Sequence, residues 1–90
     1  MSIVLYLKGI QPFKNSFLIY DYIMNTFNQK LRELREENKL LQKQLAAELG
    51  VSQVTIARWE TGSREPSFDD LIKIAKYFNV TTDYLLGLED

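Results

Sequence analysis

The chain is predicted to fold as an all-α domain of five helices, and three observations carry that prediction. Apolar residues recur three and four apart through most of the sequence; Ser52, Ser67 and Thr81 stand as N-caps before apolar-periodic stretches; and Gly50 and Gly87 follow the last periodic residue of theirs. Ninety residues with 46% apolar and 26% charged side chains allow one domain with a modest core, preceded by an apolar extension. The division is expected at residue 27, with 1–27 as the extension and 28–90 as the domain.

In the extension, sixteen of 27 residues are apolar or aromatic, too many to stay solvated alone. Residues 3–7, rich in β-branched and aromatic side chains, read as a short strand, and residues 9–12 as a break. From Asn15 the period changes. Phe17, Tyr20, Met24, Phe27, Leu31 and Leu34 follow a 3-4-3-4-3 spacing, the apolar seam of a coiled coil. The domain's own first helix is expected over residues 26–37, with Asn38 as a left-handed stop, but the seam lets one lengthened helix span 15–37.

The second and third helices meet at a tight turn. Leu45 and Leu49 share one helix face with Ala46, whose small side chain lets a partner helix approach. Gly50 sits where a left-handed residue ends a helix, Val51 turns inward, and the Ser52 hydroxyl can accept from the backbone N–H of Val54 or Thr55. Along the helix that begins at Gln53, Ile56 and Trp59 face inward, leaving Gln53, Val54, Ala57, Arg58 and Thr61 outside. Two helices crossing at such a turn present the second to the major groove of DNA. Beyond the loop to Pro66, Ser67 and Asp70 form a capping box opening a fourth helix at about Phe68, with Leu71, Ile74, Ala75 and Phe78 as its buried stripe. Thr81 caps a fifth helix whose Tyr84, Leu85 and Leu88 close the core.

From about Phe27 to Leu88 the chain resembles the lambda repressor and Cro class of helix-turn-helix regulators, also called the XRE-like family. The motifs that carry the likeness are LRELREEN, QLAAELGVS, IARWETG, REPS, LIKIAKYFNV and TTDYLLG, in order and with family spacing. The resemblance implies a five-helix lambda-repressor-like fold that binds double-stranded DNA. It places Gln53 at the main base-reading position, where a glutamine amide pairs with adenine N6 and N7, and puts Ala57 on the same face. Val54, apolar on an outward face, suits a thymine methyl; Arg58 can reach guanine O6 and N7 or a phosphate. Gln42 opens the second helix, where relatives bind phosphate and brace the start of the recognition helix. Thr55, Thr61, Ser63 and Arg64 fall where the family touches phosphates. Arg35 and Glu60 match an ion pair of relatives. Two departures are Leu41, where a serine or threonine cap is common, and Thr61, often asparagine.

Composition narrows the function classes. Without cysteine or histidine the chain lacks thiolate and imidazole metal ligands, disulfides and the usual general base near neutral pH. The four glycines form no phosphate cradle and no nucleophile setting is recognisable, so no enzyme, metal, cofactor or small-molecule ligand is expected. The net charge of −1 and pI near 5.4 are unusual for a DNA-binding domain and imply few ionic contacts to phosphate.

The expected function is a transcriptional regulator, a repressor, acting in the cytoplasm as a homodimer on a palindromic operator, with Phe17, Tyr20, Met24 and Phe27 in the dimer contact. The competing expectation is an antitoxin-like interaction module whose N-terminal segment clasps a partner protein. Lys8, Lys14 and Asp21 interrupt any membrane span. Another alternative is that Met24 is the natural start and residues 1–23 an upstream addition.

Overall fold

A computed structural model describes residues 16–89, with side chains from Leu18 onward. These residues form five helices: α1 Ser16–Glu37, α2 Gln42–Leu49, α3 Gln53–Thr61, α4 Phe68–Phe78 and α5 Thr82–Leu86. No strand occurs among them; the strand expected at residues 3–7, the break at 9–12 and the Phe17 side chain lie outside the described residues.

α1 is a single helix of 22 residues that runs without interruption through residue 27. Its downstream half buries Phe27 and Leu31 completely and Leu34 to 7% exposure, against α3 on one side and α5 on the other. Phe27, expected in a dimer contact, is therefore corrected to a core residue. The seam of spacing three and four turns into the domain at this point, because α3 and α5 occupy the space a symmetry mate would need. Upstream, Leu18 and Tyr20 are exposed, and Ile19, Tyr22, Ile23 and Met24 are half-buried.

The turns are built by one device repeated. At the end of α1, Lys39 adopts the left-handed conformation (φ 56°), its N–H bonds to the Glu36 carbonyl at 3.0 Å, and the Leu40 N–H bonds to Arg35 at 3.1 Å. The left-handed residue expected at Asn38 thus lies one position later. Asn38 stays in register because both its backbone N–H (3.1 Å) and its side-chain Nδ2 (2.7 Å) donate to the Leu34 carbonyl. The same paired bonds end α2 at Gly50, α4 at Asn79 and α5 at Gly87. Leu40, Val51 and Val80, each following the left-handed residue, pack onto the core, so the turns at Lys39, Gly50 and Asn79 are pinned by backbone and side chain together.

Three helix starts are side-chain capped. Ser52 Oγ accepts from the Thr55 N–H at 3.1 Å, Thr81 Oγ1 from Tyr84 at 2.9 Å, and Ser67 and Asp70 cap each other reciprocally. Leu41, before α2, has no acceptor to offer. Gln44 Oε1 instead accepts from the Leu41 N–H at 2.8 Å, which completes only the returning half of a capping box. The core joins Phe27, Leu31 and Leu34 of α1 to Leu45, Ala46 and Leu49 of α2, Ile56 and Trp59 of α3, Ile74 and Ala75 of α4 and Leu85 of α5. At about 1.5–3 kcal/mol for each large apolar side chain, this cluster is what sets α3 against its neighbours.

Candidate nucleic-acid interface

α3 has two faces. Ile56 and Trp59 are buried in the core, while Gln53, Val54, Arg58 and Thr61 are exposed. Thr55 and Ala57 are half-buried at the flanks of that outer face, and the Thr55 hydroxyl is 2.9 Å from Ser52 Oγ. The outer face thus combines an amide, a β-branched methyl surface and a guanidinium, the groups that match adenine, thymine and guanine edges.

What holds this helix is a four-residue clamp. Arg35 Nε donates to Glu60 Oε2 at 2.6 Å and Nη2 to Oε1 at 3.0 Å, a two-pronged pair, while Nη1 donates to the Leu40 carbonyl at 2.9 Å. The side chains are only 12% and 5% exposed. Glu60's hydrogen bonds push the Arg35 pKa still further up, on a guanidinium that is charged in any case. Gln42 Nε2 also donates to Glu60 Oε1, at 3.2 Å. The brace expected from Gln42 to the start of α3 is therefore corrected: its amide reaches the far end of that helix, because Glu60 presents a carboxylate already fixed by Arg35. One carboxylate in this way ties together α1, the first residue of α2 and the last turn of α3.

The loop after α3 is shaped at Gly62. Its φ of +82° favours glycine, and a Cβ there would lie 2.7 Å from Asn28 Nδ2 of α1. Thr61 Oγ1 donates to the Arg58 carbonyl and lies 3.3 Å from Ser63 Oγ, and the Arg64 N–H returns to the Arg58 carbonyl at 3.3 Å. Ser63 and Arg64 are exposed. Between this loop and α1 lies an open groove of about 430 Å³, with Tyr20, Met24 and Asn28 on the α1 side. Across it the Tyr20 hydroxyl donates to Glu65 Oε2.

Of the residues singled out in the sequence, the fold brings Gln53, Val54, Arg58 and Thr61 onto one exposed surface, with Ser63 and Arg64 continuing from its end. Arg35, Glu60 and Gln42 form the support beneath. The Tyr20–Glu65 contact had no sequence signal, since 45 residues separate the partners. The role of Asn28 was equally hidden, although the need for a glycine at 62 hinted that something approaches closely. Among the described residues no group of carboxylates, histidines or cysteines could hold a metal ion, and no helix is long and apolar enough to cross a membrane.

Two helices joined through a left-handed glycine, the second with a polar and basic outer face, define a helix-turn-helix domain. The chain matches the family model described as Helix-turn-helix over residues 31–85, and it belongs to that family. It is 45% identical over 64 residues to the HTH-type transcriptional activator BcrR of Enterococcus faecalis, a match covering 71% of this chain and 31% of the relative. It is 39% identical over 62 residues to the uncharacterized HTH-type transcriptional regulator YobD of Bacillus subtilis, covering 69% of this chain and 55% of that one. The chain thus spans 31% and 55% of the length of these two relatives. Among solved structures it is similar to the P22 c2 repressor protein in complex with synthetic operator 9T, at 32% identity and a TM-score of 0.66, covering 70% of this chain and 96% of that chain.

Proposed function

We propose that the chain is a sequence-specific regulator of transcription, a repressor, that binds a palindromic operator as a homodimer. The observation that carries this reading is the exposed Gln53–Val54–Arg58 surface of α3, held from below by the Arg35–Glu60–Gln42 clamp. Such rigid support keeps the ordering entropy low when base edges are met. Gln53 reads adenine, Val54 packs on a thymine methyl with Ala57 beside it, and Arg58 reads guanine or a phosphate. Thr55, Thr61, Ser63, Arg64 and the second N–H of Gln42 serve phosphates. Similarity to the P22 c2 repressor, solved on an operator, supports both duplex DNA as the partner and repression as the outcome.

The dimer is assigned to the upstream half of α1. Leu18 is 53% exposed, with Ile19 and Ile23 beside it half-buried, an apolar surface a second copy would cover, while Tyr20 and Met24, expected in the same contact, line the groove toward the loop after α3. Two-fold symmetry then sets two recognition helices about 34 Å apart, one turn of DNA.

The test is titration of a duplex selected from a random pool. The full chain saturates it at two chains per duplex, with a shallow salt dependence, as few basic groups face the phosphates. Arg58→Ala binds roughly tenfold to a hundredfold more weakly. Equal affinity for Arg58→Ala would remove α3 from the reading, and saturation at one chain would remove the dimer.

A further inference from the structure

We propose that Tyr20 is a positioning residue for DNA binding: by holding the Glu65 side chain against α1, its hydroxyl keeps the loop bearing Ser63 and Arg64 open to phosphate. This rests on the DNA-binding reading of α3. It adds to the family's surface a residue upstream of the segment the family model covers, which begins at residue 31.

The loop meets α1 at two points. Gly62 sits directly against Asn28, and Glu65 accepts from Tyr20. Tyr20, Met24 and Asn28 are four apart and share one face of α1, the wall of the groove. The stretch from Gly62 to Glu65 is therefore packed against α1 at its start and hydrogen-bonded to it at its end. Between these two points stand Ser63 and Arg64, both exposed. Glu65 is the one acidic residue of this loop, and it adjoins the arginine meant for phosphate. Untethered, its carboxylate would pair with the Arg64 guanidinium or face the DNA backbone, and either reduces affinity. Tethered, it is drawn toward α1. The bond requires the phenol to keep its proton, and the Glu65 hydrogen bond, with desolvation and the nearby carboxylates of Glu65 and Asp21, raises the Tyr20 pKa above its ordinary value. At neutral pH Tyr20 is a neutral donor.

Tyr20→Phe keeps the ring and removes only the hydroxyl. Its affinity for the selected duplex is expected to fall roughly three- to tenfold, with an unchanged melting temperature and dimer mass. Glu65→Gln, which has no charge to restrain, is expected to bind at least as tightly as the wild-type chain. Adding Tyr20→Phe in that background is expected to change nothing, a result a merely structural tyrosine would not produce. The proposal is overturned if Tyr20→Phe binds like wild type, if its weakening persists beside Glu65→Gln, or if it tracks loss of the dimer by light scattering. Wild-type binding with loss only in Arg58→Ala would overturn this proposal and leave the α3 reading standing. A wild-type chain that binds no selected duplex would overturn both.

Discussion

Trp59→Ala is expected to lower stability by about 3–5 kcal/mol, the range for deleting a large aromatic side chain from a packed core. Trp59 is 1% exposed, and its indole lies in the cluster through which α1, α2 and α3 share one interior. A domain of this size has only about 5–10 kcal/mol in total, so the variant would be partly unfolded at physiological temperature. Thermal melting followed by helical circular dichroism should show a midpoint lowered by roughly 15–30 °C. Trp59→Phe should be much milder. The indole Nε1 is buried without a hydrogen-bond partner among the described residues, so phenylalanine loses packing volume but also removes that donor. Equal losses for the two variants would mean that the indole is not packed as described.

The second large effect is at the clamp. Glu60→Ala leaves the Arg35 guanidinium, 12% exposed, with the Leu40 carbonyl as its remaining hydrogen-bond acceptor among the described residues, and releases the Gln42 amide. Removing one partner of a buried ion pair costs about 3–5 kcal/mol, and the position of this pair at the domain edge reduces that to roughly 2–4 kcal/mol. Denaturant unfolding measures it. Glu60→Gln, which keeps an acceptor but loses the charge, should fall between the two. Because the clamp orients α3, the same variants should lose DNA affinity under conditions where they remain folded. Stability loss with intact affinity would separate the clamp from the interface.

The turn from α2 to α3 was legible because local chemistry decides it. Gly50 and Ser52 are each required by a backbone bond within four residues, and Ile56 and Trp59 have only one side of α3 to occupy. The lengthened α1 was legible for the same reason, its apolar spacing being helical. That same pattern misled at Phe27, since a repeat of three and four records that a face is buried but not what buries it. Asn38 misled because a residue able to adopt the left-handed form can instead cap the helix with its side chain. Gln42 is a harder case. The amide at the head of α2 was recognisable as important, but its partner was decided by where Arg35 had placed a carboxylate. Contacts such as Tyr20 with Glu65 join segments far apart in sequence, and no local pattern encodes them.

The exposed face of α3 is proposed to read base edges in duplex DNA. Selection from a randomised duplex library, run in parallel with the wild-type chain and Gln53→Ala, tests it most directly. The wild-type chain is expected to enrich an inverted repeat with half-sites about one helical turn apart. Gln53→Ala is expected to lose preference at one symmetric pair of positions, an adenine in each half-site, while keeping the rest. A wild-type chain that enriches no motif, or a Gln53→Ala variant that selects the same motif at every position, would contradict it.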